Sequence, residues 1–535
     1  MSAPPKDWLT APRKFLRMCR RNWNRKKIAD STGVELKGGD LLIRTLVLRR
    51  ALRKVLGADE RYVGVLLPPS AGGVVVNAAL GLDRRISANL NYTVTSEVMN
   101  DCIKQCGIKH VLTSRRVLDR FNFKLDAEIV YLEDIRGLIT LGDKLLSFID
   151  ARLLPISLLE QKLGLTDVKP DDLLTVIFTS GSTGLPKGVM LSHYNVGSNA
   201  DAVDAIIRLT KDDVLLGILP LFHSFGYTVT LWTVLTLDPM GVYHYSPLEA
   251  REVGKLCRKY GVTIMLSTPT FLRSYLRRCE REDFWAVQVL FTGAEKLPSD
   301  LADAFEKRFG IRPIEGYGCT ELSPIAAANI PPGRGITSQQ EGVKEGTIGR
   351  PLPGIAAKVV HLETGEELGP NRQGMLLFKG PNVMQGYLHR SDLTQEVLRD
   401  GWYVTGDVAE IDEEGFIKIT GRISRFSKLA GEMVPHLRIE ETLNHILGFD
   451  QLEDVRLVVS SVPDAKKGER IVVLHTGLPF PTEDICRKLA EVGLPPLWIP
   501  AADSFRQVPQ IPLLGTGKLD LKAVKELATS LFANS

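Results

Sequence analysis

"LLTVIFTSGSTGLPKG", Leu173 to Gly188, decides the architecture. The apolar run Leu173 to Phe178 reads as a strand. Ten residues follow, Thr179 to Gly188, with three glycines, four hydroxyls and one lysine. Backbone N–H groups, hydroxyl donors and one ammonium at the end of a strand suit a polyphosphate. A Walker-type loop needs Gly-Lys followed by Ser or Thr; here Pro186 precedes Lys187 and Gly188 follows it. A Gly/Ser/Thr linker has the same composition, but the strand before it and the lysine within it argue against one.

The neighbouring sequence supports an α/β sheet. "YVGVLLPPS" (62–70), "HVLTS", "VTIMLSTP" and "VQVLFTGAE" are short apolar runs ending in turn or hydroxyl residues. Between such runs lie helical patterns such as "GGDLLIRTLVLRRALRKVL", with apolar residues at three- and four-residue spacing. Strands alternating with helices predict parallel sheets with ligands at their carboxyl ends. From about residue 341 to 421 the chain turns rich in Gly, Pro and short strands, which predicts a β-barrel subdomain. A hairpin lies within it: "VAEI", the turn "DEEG", then "FIKIT". Residues 422–535 carry helices and strands enough for a separate small α+β domain, giving boundaries at 1–421 and 422–535.

At 535 residues the chain exceeds one hydrophobic core. A net charge of +4 indicates no special affinity for nucleic acid. Seven scattered cysteines without CxxC spacing read as free thiols of a reducing cytoplasm. Near the N-terminus Phe15, Leu16, Cys19 and Trp23 share a helical face among arginines. This helix, within residues 8–27, either makes a peripheral contact with an anionic membrane or packs on its own domain. Val214 to Leu237 is uncharged, but Pro220, His223, Ser224 and Gly226 interrupt it, so buried core lining an apolar pocket is expected rather than a membrane span.

Further clusters carry chemistry. In "EGYGCTEL" Tyr317 lies between Gly316 and Gly318, where its ring can meet a purine, and Thr320 is a hydroxyl donor. Glu321 is a hard oxygen ligand suited to Mg²⁺ beside phosphates. In "GWYVTGD" Asp407 is expected to end a turn just before a strand and to accept two ribose hydroxyls. "GRISRFSKLAGEMVP" brings Arg422 and Lys428 to the domain boundary, and Lys518 lies in a Gly-Thr-Gly turn near the C-terminus.

Taken together, "TSGSTGLPKG", "YGCTE", "YVTGD", "GRISRFSKLAGEMVP" and "PLLGTGKLD" resemble the adenylate-forming acyl-activating (AMP-binding) superfamily over essentially the whole chain. Within it "KLAGEMV", "LPPLWIP", "NLNYT" and "GVLLPPSAGGVVVNAAL" look most like acyl–acyl carrier protein synthetases and long-chain fatty acid–CoA ligases. These include the ligase half of bifunctional 2-acylglycerophosphoethanolamine acyltransferase/acyl-ACP synthetases. The acyltransferase half would need His-x4-Asp in a domain of its own; His445 to Asp450 matches only by coincidence.

The resemblance implies an α/β fold: a large N-terminal domain of two α/β sheets plus the β-barrel subdomain, with a small mobile C-terminal domain. It implies ATP-dependent conversion of a fatty acid to acyl-AMP and then to a thioester on CoA or on the phosphopantetheine of acyl carrier protein. Thr179, Ser180, Gly181, Ser182, Thr183, Gly184 and Lys187 would hold the β- and γ-phosphates, Thr320 another phosphate, and Glu321 the Mg²⁺. Gly293, Ala294, Glu295, Gly316, Tyr317 and Gly318 would frame adenine; Asp407 and Arg422 would fix ribose, with Lys428 near the nucleotide. Lys518 would bridge the substrate carboxylate and the α-phosphate, and His223 would stand by the acyl group or else be a core histidine. The hinge position, usually Asp or Lys in the family, is Ser424; Arg425 replaces an acid after it, and Leu521 an arginine beyond Lys518. Cytoplasmic location, with or without contact at the inner membrane face, follows. A ligase for an aryl acid and an inactive acyl- or nucleotide-binding homologue remain as alternatives.

Overall fold

The computed structural model describes residues 4–179, 185–331, 334, 342–429, 432–449, 454–464, 468–513 and 519–532, with the backbone alone at 424, 428, 432 and 433. The strand Leu173–Thr179 enters a seven-stranded sheet and pairs antiparallel with Lys187–Ser192, Thr179 facing Lys187 across the phosphate-type loop. On its other side Ile86–Asn89, Tyr62–Val65, His110–Thr113 and Glu128–Tyr131 continue in parallel. The second sheet has nine strands, with a parallel centre from Lys26–Asp30 through Met240–Tyr243, Val214–Gly217, Ile264–Ser267 and Val289–Thr292 to Ile314–Gly318. Two α/β sheets are what alternating apolar runs and amphipathic helices demand.

The β-rich stretch forms a five-stranded antiparallel half-barrel. It does not keep all its strands. Arg350–Pro351 joins the nine-stranded sheet and Gly386–Tyr387 joins the seven-stranded one beside Lys187–Ser192. Two-residue strands carry too little side-chain pattern to announce their partners. Ile417–Arg422 belongs to the half-barrel; after the turn Ile423–Arg425, Phe426–Leu429 enters a last five-stranded sheet. That sheet is covered by His436–Leu447 and Thr482–Glu491 on one face and Leu521–Phe532 on the other.

The N-terminal helix Ala11–Arg21 packs on its own domain. Phe15, Leu16 and Cys19 are fully buried, contributing roughly 1.5–3 kcal/mol for each large side chain. Arg13 and Arg17 clasp buried Glu160 at 2.8 Å each, and Lys14 binds Asp201. Of the two alternatives for this helix the second holds: its apolar face is spent inside the protein. Among the described residues no helix is long and apolar enough to cross a membrane. All seven cysteines are free thiols.

Val214 to Leu237 is buried core, as expected, built from the strand Val214–Gly217, a π-helix Phe225–Trp232 and a short α-helix Thr233–Thr236. The wide turn is marked by Thr233 Oγ1 donating to the Thr228 carbonyl at 3.1 Å. Gly226 permits its start: a Cβ there would lie 2.2 Å from the Pro220 carbonyl oxygen. π-Helical turns widen a helix by one residue and recur at functional sites. This one faces a cavity through Phe225 and Val229.

Candidate active site

The carboxyl ends of both large sheets open into one cavity of ≈ 2730 Å³, reaching the half-barrel and the C-terminal sheet. Lys187, His223, Gly293, Ala294, Glu295, Gly316, Tyr317, Gly318, Thr320, Glu321, Asp407, Arg422 and Thr179 all line it. Motifs scattered along the sequence thus share a single space. Residues 180–184 and Lys518 lie outside the described residues, as does the Lys428 side chain.

The turn after Ile314–Gly318 sets Thr320 and Glu321 at the cavity. Gly318 meets the Pro324 carbonyl so closely that a Cβ would lie 2.0 Å from its oxygen. The chain then makes a 3-10 turn, Thr320–Leu322, which points Thr320 Oγ1 toward Ser224, 3.4 Å from its Oγ. Glu321 is buried, and its main-chain carbonyl accepts from Met384 N at 2.8 Å. Its Oε1 accepts from the Tyr387 hydroxyl at 2.7 Å. Burial and Glu321 together push the Tyr387 hydroxyl well above its ordinary range. Lys187 Nζ stands 4.9 Å from the centre of the Tyr387 ring, a cation–π distance. Tyr387 therefore joins the lysine of one sheet to the carboxylate of the other. No sequence motif flags it; only the pairing of Gly386–Tyr387 beside Lys187–Ser192 brings it in.

Asp407 is not at the end of a turn. It lies inside the strand Trp402–Ile411, with Gly406 at φ +77° before it and a bulge between Val408 and Ala409 after it. These distortions tip its carboxylate toward the cavity. Tyr317 Oη donates to Asp407 Oδ2, and Arg422 Nε lies 3.2 Å from Oδ1. Burial raises the Asp407 carboxyl, with Arg422 and the Tyr317 hydrogen bond opposing it. Tyr317 is raised further still, by burial and by the Asp407 charge. One face of the Tyr317 ring is covered by Phe378 at 5.7 Å, leaving the other for a flat ligand. Nearby, Glu295 Oε2 accepts from Thr270 Oγ1 at 2.8 Å, and Ala294 sits at φ +67°.

His223 is exposed to the cavity, with its ring 4.7 Å from Phe222, so it is not a core histidine. Part of the cavity lining is aliphatic: Val203, Ile206, Ile207, Leu215, Leu266 and Ile348 form an apolar lobe of it.

Among the described residues no cluster of three or more His, Cys, Asp or Glu could form a protein-only metal site. One buried carboxylate beside a phosphate-type loop fits Mg²⁺, which is commonly held by one or two carboxylates plus phosphate oxygens.

The family model for the AMP-binding enzyme matches residues 17–388. The chain belongs to the AMP-binding enzyme family. Among related members, a long-chain-fatty-acid–CoA ligase of Bacillus subtilis (strain 168) is 33% identical over 357 residues, 65% of this chain and 60% of the relative. A probable 4-coumarate–CoA ligase 1 of Dictyostelium discoideum is 34% identical over 368 residues, 66% of this chain and 63% of the relative. Both matches span less than two thirds of the relative's own length. Solved structures share the fold of this AMP-binding family member throughout. ATP-bound MatB from Rhodopseudomonas palustris superposes with a TM-score of 0.78 at 24% identity, covering 98% of this chain and 100% of that one. An o-succinylbenzoate CoA synthetase from Bacillus subtilis, solved with its acyl-adenylate, gives 0.77 at 20% identity, over 96% and 98%.

Proposed function

We propose that this AMP-binding family member activates a long-chain fatty acid with ATP and passes the acyl group to a thiol. The observation that carries the fatty substrate is the aliphatic part of the cavity lining, Val203, Ile206, Ile207, Leu215, Leu266 and Ile348.

The substrate carboxylate attacks the α-phosphorus of ATP, a P–O bond forms, and pyrophosphate leaves. A thiolate then attacks the acyl carbonyl and AMP departs. Neither step requires a protein nucleophile; each requires placement and charge neutralisation. Lys187 and residues 179–184 hold the β- and γ-phosphates and Thr320 donates to phosphate; Glu321 would hold Mg²⁺, which would supply charge neutralisation for the polyphosphate. Glycines 293, 316 and 318 with Ala294, Glu295 and Tyr317 frame adenine. Asp407 exchanges the Tyr317 hydroxyl for ribose hydroxyls while Arg422 maintains its charge. His223 stands where the acyl lobe meets the phosphates. Lys518 attends the bond that forms, and residues 422–535 move about Ser424 so that it withdraws before the thiol arrives. The acceptor is CoA or the phosphopantetheine of acyl carrier protein.

Fatty-acid-dependent pyrophosphate exchange tests the reading, followed by thioester formation with CoA and carrier protein separately. Exchange with an aryl acid and none with any fatty acid would overturn it. Lys518→Ala is expected to abolish adenylation from ATP yet form thioester from supplied acyl-AMP.

A further inference from the structure

The helix Leu141–Arg152 is inside out. It buries Ser147, Asp150 and Ala151 and turns Leu141 (82% exposed), Leu145 (61%), Phe148 and Ile149 to the outside. Beyond the turn, Leu153 (67%) and Leu158 extend the same surface. At 100° per residue the outward apolar positions span one broad face of the helix. Its inward orientation is fixed by charge: Asp150 pairs with Arg50 and Lys162 at 2.6 Å each, and Arg20 donates to the Asp150 carbonyl at 2.9 Å.

The charges of this region are sorted the same way. Between residues 135 and 165 the acids are Asp143, Asp150 and Glu160, and each is turned inward onto a basic partner: Lys54, Arg50 and Arg13. Of the basic residues of the same stretch, Lys162 is drawn onto Asp150, whereas Arg136, Lys144 and Arg152 are exposed. An apolar face rimmed by outward cations, with its acids withdrawn, complements an anionic lipid surface. A second copy brought face to face would oppose cation to cation. A protein partner would ordinarily find hydrogen-bonding groups among the apolar ones, and this stripe offers aliphatic and phenyl groups alone.

We infer that the face formed by Leu141, Leu145, Phe148, Ile149, Leu153 and Leu158 docks on an anionic membrane surface. The docking stands apart from the catalytic reading, since none of these side chains lines the cavity. Leaflet contact here lies outside the N-terminal helix, whose apolar side is already buried.

The test is flotation of the full chain with vesicles of phosphatidylglycerol and phosphatidylcholine, against phosphatidylcholine alone. Binding is expected to the anionic vesicles and to weaken at least about tenfold in 0.5 M salt, as screening of several basic contacts requires. L145D/F148D is expected to reduce the bound fraction about tenfold with an unchanged melting temperature, both positions being exposed. K144E/R152E, which leaves the apolar stripe intact, is expected to weaken binding as well. Absence of binding to anionic vesicles, or binding indifferent to both pairs of substitutions, overturns the inference. So does concentration-dependent dimerisation that L145D/F148D abolishes, which would assign the face to a second copy.

Discussion

The Tyr387 hydroxyl and the Glu321 carboxylate meet at 2.7 Å, although Tyr387 lies in a strand of the seven-stranded sheet and Glu321 in a turn between strands of the nine-stranded one. The same tyrosine ring carries the Lys187 ammonium on its face. Tyr387→Phe keeps the ring and removes the donor. A buried carboxylate then loses a hydrogen bond worth about 1.5–3 kcal/mol. The expected result is a lower melting temperature and a higher Mg²⁺ concentration for half-maximal pyrophosphate exchange. If both values match the parent protein, the tyrosine has no part in holding Glu321.

At Gly318 there is no space for a side chain, because the obstacle is the Pro324 main chain. Gly318→Ala must displace the turn that carries Thr320 and Glu321. Nucleotide binding, read by calorimetry, should fall at least about tenfold, which is ~1.4 kcal/mol. Unchanged affinity would mean that the turn yields without moving either group.

The apolar lobe can be shortened from its wall. Val203 touches the cavity from the helix His193–Ile207 but is only 3% exposed and packs in the main core, so Val203→Phe should cost about 1–3 kcal/mol of stability. Exchange with long acyl chains should drop while shorter chains retain activity. Uniform loss across chain lengths would place the tail elsewhere.

His436 supplies a pH signature for the C-terminal sheet. Burial lowers its imidazole from 6.5 to about 3, with Arg425 and Lys525 adding to the effect, and Ser427 Oγ lies 2.6 Å from Nε2. The folded form therefore prefers the neutral ring. Its stability is complete above 6.5 and falls as pH drops from there toward 3, by at most ~1.4 kcal/mol per unit. Thermal unfolding followed from pH 7 to pH 4 should show this slope, and His436→Gln should flatten it. An equal slope in the variant would assign the effect to other groups.

Much of the site could be read from the chain because phosphate chemistry imposes local composition. Glycines and hydroxyls around Lys187, and the Gly-Tyr-Gly at Tyr317, advertise themselves within ten residues. What escaped depends on contacts distant in sequence. Tyr387 lies in a two-residue strand whose partner is chosen by the tertiary fold. The π-helix has no hydrophobic period of its own, since nearly every side chain in "FGYTVTLW" is buried. The stretch before Asp407 reads as a turn, but the strand continues through Gly406 by bulging opposite Gly374–Lys379.

The strand Gly386–Tyr387 also bears on how the protein is assembled. It is the last piece added to the seven-stranded sheet, long after the lysine strand it pairs with has been synthesised. A nascent chain ending before Tyr387 would already contain the phosphate-type loop and the Glu321 turn, yet nothing would join them. The hydroxyl that meets Glu321 and the ring that faces Lys187 thus come from one residue of a strand added after both.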